Sequence, residues 1–183
     1  MLYATGLAVV AGLVVGLLRG GRLRWLGRHR LRAWWLVVAG FGLQLLSDHT
    51  GAGRLATAMV IGGAAALIAF TALNPTLVGM GVIAVGVGCN ALVIGLNGGM
   101  PVKASAVVAA HIVPAYEEQV IDYGSRHHRL GPGDTLSDLG DIIPVPLFHE
   151  VVSFGDLILA CGVASTIAHL LRRGPRHARS GEP

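Results

Sequence analysis

Charge is what this sequence has least of. Only 13% of its 183 residues are Asp, Glu, Lys or Arg, about half of the roughly 25% usual in soluble chains. Mean hydropathy is +0.64, which argues against a soluble globule. Aromatic residues are also scarce, at 5%, and Lys103 is the single lysine. Cysteine is limited to Cys89 and Cys161, both in apolar stretches. They read as small reduced side chains, and no disulfide framework is indicated. Segments 1–18, 33–46, 55–73 and 76–96 contain no charged residue at all. What is abundant instead is small and aliphatic: 27 glycines and a 53% hydrophobic composition. This is the composition of an integral membrane protein.

The net charge of +4 does not point to nucleic acid. Arg19, Arg22, Arg24, Arg28, Arg30 and Arg32 form one basic stretch, and Arg172, Arg173, Arg176 and Arg179 form another. Both abut apolar segments, as topology-setting and headgroup-binding charges do, rather than forming a duplex-binding face. Arginine in place of lysine, with abundant Ala and Gly, suggests a GC-rich bacterial genome.

A membrane crossing needs roughly 20 apolar residues, with 17 to 25 tolerated. Leu2–Leu18, Leu55–Leu73, Thr76–Leu96 and Val151–Leu171 meet that length. Ala33–Leu46 is shorter; extended to residues 31–47 it makes a thin span, with Trp34 and Trp35 at its interface, and its alternative is a re-entrant or surface helix. Counting five spans puts both arginine clusters on one side, and four would separate them. The expectation is therefore an all-α, single-domain bundle of five transmembrane helices over residues 1–183. Its spans cover about 2–18, 31–47, 55–73, 76–96 and 150–171, followed by a basic tail, 172–183. The N-terminus lies outside and the C-terminus in the cytoplasm, in the plasma membrane. No basic residue precedes Arg19, so the first segment reads as a retained helix and not a signal peptide. Asn74-Pro75 is a tight turn joining two antiparallel spans. Ala8, Gly12 and Gly16 mark a packing face on the first span, and Ala84 with Gly88 one on the fourth. Gly62, Gly63 and Ala64–Ala66 read the same way.

Polar groups inside a bilayer default to functional or helix-pairing roles. Gln44, Asn90 and Asp156 lie toward the outer ends of their spans; the last two are each roughly 10 Å below the surface and within reach of each other. The site therefore opens outward. In the outer loop, 97–149, Thr135 or Asp134 can cap a short helix that Gly140 ends, and Pro144 and Pro146 return the chain to the membrane in an extended form. Asp141 then sits at the surface near Asp156. Two carboxylates in a low-dielectric cleft do not both ionise readily, an arrangement used for general acid and base chemistry. The alternative is structural: Asp141 capping a helix or pairing with Arg126 or Arg129, and Asp156 bonding Asn90.

Asn97-Gly98-Gly99-Met-Pro101 reads either as a helix stop or as a glycine turn whose amides bind an anion. Residues 103–123 read as an amphipathic lid, with Tyr116, Val120 and Tyr123 on one face and Glu117, Glu118 and Asp122 on the other. His149 and Glu150 are further candidates for lining the cleft. His111, His127, His128 and His149 match no short zinc motif, and neither metal nor cofactor is expected.

Asn97-Gly-Gly-Met-Pro101, Leu139-Gly-Asp-Ile-Ile-Pro144 and Ser153-Phe-Gly-Asp156 together resemble an uncharacterised family of small bacterial multi-pass membrane proteins, a domain of unknown function. That resemblance covers essentially the whole chain and implies fold and membrane location without an activity. The last segment is also similar to the final helix of lipoprotein signal peptidases, whose Phe-Asn-x-Ala-Asp motif supplies one of two catalytic aspartates. This implies Asp156 as a catalytic acid, with Asp141 as the second. Here Gly155 replaces the alanine, and Asn97-Gly-Gly stands where that family carries Asn-x-x-Asp-Arg.

Three functions fit these residues. The leading one is a non-enzymatic bundle that binds a lipid, a small molecule or a membrane partner, including a second copy, through the polar cleft. The second is an intramembrane hydrolase or lipid-modifying enzyme using Asp141 and Asp156. The third is a small transporter, for which no inverted repeat is visible.

Overall fold

The structure is a computed structural model that describes residues 2–28, 30–51, 53–114 and 121–172. Part of the lid stretch (including Tyr116, Glu117, Glu118 and Val120) and the tail arginines Arg173, Arg176 and Arg179 lie outside the described residues. The chain is mostly helical: α1 (Leu2–Leu18), α2 (Trp35–Ser47), α3 (Arg54–Leu73), α4 (Met80–Asn97), α5 (Ala104–Ala109) and α6 (Phe154–Arg172). The expected all-α class needs one amendment. Four three-residue strands form between α4 and α6: β1 (Met100–Val102), β2 (His127–Arg129), β3 (Ile143–Val145) and β4 (Glu150–Val152).

Helices α3, α4 and α6 are long and apolar enough to cross a membrane; α1 and α2 are shorter apolar helices. The second segment starts later than its hydropathy suggests. Ala33 has positive φ and Trp34 is only a cap, so α2 keeps 13 residues. The long helices pack side by side in the order α2, α3, α4, α6, α1. Large apolar side chains such as Val10, Val38, Leu55, Val85 and Leu92 remain exposed on this layer, a surface compatible with an apolar environment.

Small residues set these contacts. A Cβ on Gly12 would lie 2.7 Å from the Ala164 carbonyl oxygen, so α1 runs parallel to α6 along the Ala8, Gly12 and Gly16 face anticipated from the sequence. Gly40 and Gly63 bring α2 and α3 together backbone to backbone. Between α4 and α6, however, Ala84 and Gly88 are not the seam. Gly88 faces open space, and Gly86 takes the contact, where a Cβ would lie 2.6 Å from the Leu159 nitrogen. Gly155 and Gly162 answer it from α6. Where apolar surroundings supply little drive for association, such backbone approach is what holds helices together.

Both ends of the layer are tied by polar groups. At one end Asn74, in the α3–α4 turn, exchanges hydrogen bonds with the backbone of Arg32: its Nδ2 donates to the Arg32 carbonyl at 2.9 Å and its Oδ1 accepts the Arg32 amide at 2.9 Å. At the other end β1 pairs in parallel with β2 and, along its other edge, bridges to Asp141. β3 and β4 form an antiparallel hairpin that leads into α6.

The seam makes opposite predictions for neighbouring glycines. Gly86→Ala forces α4 from α6 and lowers the melting temperature in detergent or nanodiscs, a loss of about 1–3 kcal/mol. Gly88→Ala has room and gains helix propensity, so its melting temperature holds or rises. Equal destabilisation by both substitutions would refute this seam.

Candidate functional site

The site starts from the first turn of α6. The Ser153 hydroxyl accepts the Asp156 amide at 3.1 Å, and the Asp156 carboxylate accepts the Ser153 amide at 3.0 Å. This is a reciprocal capping box in the Ser-x-x-acid spacing. Because Gly86 and Gly155 let α4 approach so closely, Asn90 reaches the same group. Its Nδ2 donates to Asp156 Oδ1 at 2.7 Å, and its Oδ1 accepts the Ser153 hydroxyl at 2.9 Å. Asp156, 7% exposed, thus has both carboxylate oxygens occupied by donors.

Asp141 is held differently. Its amide donates to the Pro101 carbonyl and its carbonyl accepts the Lys103 amide, both at 2.9 Å, so the residue lies along β1 like a third strand. Gly140 permits this approach, because a Cβ there would stand 2.6 Å from the Pro101 oxygen. The Asp141 side chain is 9% exposed. Its Oδ1 is buried with no hydrogen-bond partner among the described residues. Oδ2 lies 3.6 Å from His127 Nε2, too long for a hydrogen bond. Burial first, then the charge of Asp156, pushes the Asp141 carboxyl up to about 8. Burial, and then Arg126, pulls the His127 imidazole below its ordinary value. At neutral pH both groups are uncharged, so their proximity is not an ion pair.

The structural alternative for Asp141 is thereby corrected. Asp141 caps no helix. Arg126 instead grips Asp48 at the end of α2, with Nε to Oδ1 at 2.6 Å and Nη2 to Oδ2 at 3.0 Å. The expected capping by Thr135 or Asp134 is also absent. The short turn Ser137–Leu139 has no side-chain cap. Asp134 accepts the Gly131 amide and meets His128, while the Thr135 amide donates to Asn97 Oδ1. Pro144 lies in β3 as an extended residue, whereas Pro146 opens a 3-10 turn.

Of the other residues singled out from the sequence, Asn97 acts as a clasp, donating to the Val93 and Thr135 carbonyls. Gly98, at φ 73°, closes α4 in the left-handed conformation, which is the helix-stop reading. Gly99 is buried against the Arg126 carbonyl, 3.1 Å from where its Cβ would be. Gln44 packs at Gly63, between α2 and α3, rather than beside Asn90. His149 is exposed with φ 50°, and Glu150 pairs with Val145 in the β3–β4 hairpin. The site that forms is therefore Asn90, Ser153 and Asp156 bonded together, and His127 beside Asp141, with the charge of Asp156 felt at both. The role of Ser153 was missed, and the Ser-x-x-acid spacing of Ser153 and Asp156 is the signal that could have found it. His127 was not legible in the sequence, since only its strand pairing with β1 carries it to Asp141.

Fold and site together define a mostly helical protein with helices able to cross a membrane and, at one end of them, a pair of buried carboxyl groups in unlike surroundings. Residues 28–168 match the family of unknown function DUF5317, and the chain belongs to that family. No curated protein and no solved structure matches it.

The two aspartates are predicted to respond oppositely to amidation. For Asp141 the folded pKa stands above the ordinary 3.8, so the folded state holds the extra proton and stability falls as pH rises from about 4 to about 8. Asp141→Asn copies the protonated form, removes this slope and raises the melting temperature at pH 8 by roughly 5 °C. Asp156→Asn instead turns an amide NH2 toward a donor and lowers stability by about 1–3 kcal/mol across the range. Thermal scans in nanodiscs from pH 4 to 8 measure both; a wild-type curve flat with pH would contradict the protonated Asp141.

Proposed function

We propose that this chain is an intramembrane hydrolase in which Asp141 and Asp156 act as general acid and general base on an ester or amide bond at the membrane surface. The observation that carries this reading is the buried, unpartnered Oδ1 of Asp141 beside a fully partnered Asp156. Pairs of carboxyl groups whose surroundings drive their pKa values apart are the usual source of such an acid and base. Asp156 takes a proton from a water molecule whose oxygen attacks the substrate carbonyl carbon. Asp141, protonated, donates to the carbonyl oxygen. Collapse of the tetrahedral intermediate returns that proton to Asp141, and Asp156 passes its own to the departing nitrogen or oxygen. Asn90 and Ser153 hold the base in place, and the neutral His127 leaves the acid uncompensated.

The same proposal takes α3, α4 and α6 together with the shorter apolar helices α1 and α2 as five spans, with the loop segment 97–149 outside, the arginine-rich ends in the cytoplasm and the plasma membrane as location. Its support is the helix order and direction: α1 parallel to α6, and α2, α3, α4 and α6 antiparallel in turn. That arrangement brings Arg19 and Arg22 to the same end as Arg172, with the Arg22 amide donating to the Leu171 carbonyl, as cytoplasmic charges require.

The test is hydrolysis by the purified protein in nanodiscs, using fluorogenic peptides and acyl esters tethered to a diacyl anchor. Wild type is expected to release product; Asp141→Asn and Asp156→Asn each reduce the rate by about 100-fold or more, and Asp134→Asn leaves it unchanged. Cleavage unaffected by either of the first two substitutions would rule out the acid–base pair. A wild type that cleaves none of these probes returns the site to a binding role.

A further inference from the structure

A groove of about 800 Å³ opens between the α3 and α4 ends nearest the strands, away from the aspartate pair. Gly62, Ala58 and Ile61 line it from α3, and Gly95 and Gly98 from α4. These glycines differ from those in the helix seams. Gly98 is needed for its φ, but Gly62 and Gly95 are ordinary helical residues whose Cβ atoms would meet nothing nearer than 3.7 and 3.6 Å. Side chains would fit, and glycine within a helix costs roughly 0.5–1 kcal/mol relative to alanine. What these two glycines create is the empty volume itself.

The groove runs from Arg54 down to Gly62, about 12 Å along the helix, and roughly half of a hydrocarbon core about 30 Å thick. Arg54 stands at its mouth, exposed and without an ion pair among the described residues. Thr57 closes the neighbouring wall by donating to the Gly98 carbonyl at 2.7 Å. An apolar slot that deep in a bilayer fills with hydrocarbon, and a lone cation at headgroup level attracts an anion. We propose that this α3–α4 groove is a phospholipid site, holding one acyl chain along Gly62 and Gly95 with the lipid phosphate against Arg54. The site rests on the chain lying in a membrane and is independent of the hydrolase reading.

Photocrosslinking in nanodiscs tests it, with phosphatidylglycerol carrying a diazirine in one acyl chain and the matching diacylglycerol, which lacks the phosphate. Labelling of the 57–62 and 95–98 peptides by the phospholipid should exceed labelling around the exposed Val82 and Val85 at least fivefold, and should exceed labelling by the diacylglycerol. Gly95→Leu, which fills the slot, should abolish the excess. Arg54→Gln, a surface change, should leave chain labelling but erase the preference for the phospholipid. Labelling no higher than at Val82 and Val85, or unchanged by Gly95→Leu, overturns the groove site alone. A phospholipid preference that survives Arg54→Gln overturns the headgroup contact. A chain that stays in solution without detergent or lipid overturns the membrane reading, and the groove site with it.

Discussion

The closeness of α4 to α6 is the constraint on which the rest depends. Gly86 and Gly155 leave no room for a Cβ between the two helices, and the seam they form presses Asn90 onto the first turn of α6. A bulkier pair would still bury apolar area, but would move the Asn90 amide out of reach of Asp156. In surroundings where hydrophobic association contributes little, packing and polar contact have to cooperate. Here the same seam supplies both. The closed set of bonds among Asn90, Ser153 and Asp156 is therefore a consequence of two missing side chains as much as of three polar ones.

The strands do for Asp141 what the seam does for Asp156. β1 lies between β2 and the Asp141 backbone and uses hydrogen bonds on both edges, so His127 and Asp141 arrive on either side of one three-residue strip. Asn97 and Gly98 end α4 at the point where the chain must turn into that strip, and the Arg126–Asp48 pair ties it to α2. One carboxyl is thus positioned by a helix start, the other by a backbone ladder. This difference in support explains why one has its oxygens satisfied and the other does not.

The helical layer was readable because hydropathy and charge-free length report directly on it. Three of the anticipated spans correspond to helices long enough to cross a membrane, and the Ala8, Gly12 and Gly16 face packs as its four-residue spacing suggests. Spacing failed on α4. Ala84 and Gly88 satisfy the four-residue spacing, whereas Gly79 and Gly86, which meet α6, lie seven residues apart, and only the partner helix decides which stripe is buried. The pairing of Asn90 with Asp156 followed from depth alone. The strands were invisible because three-residue segments such as Met100–Val102 carry no periodicity. With them went the partner of Arg126, the place of His127 and the way Asp141 is held. Gln44 misled for a related reason: depth in the layer was right, but its face turns to α3.

The contrast among the aspartates bears on what Asp141 is for. Buried Asp156 and half-buried Asp134 each accept a hydrogen bond from a named donor, as buried polar groups ordinarily do, and so do the exposed Asp48 and Asp122. A purely structural Asp141 would be expected to follow them, since Lys103, Arg126 and Arg129 are all close in sequence to the strip that holds it. Instead its backbone is fixed from both sides while its Oδ1 is enclosed without a partner. Burying a carboxyl in this way costs stability that no contact among the described residues offsets. Under the proposed reading, this rigid backbone support holds the unsatisfied carboxyl of Asp141 in place as the proton donor.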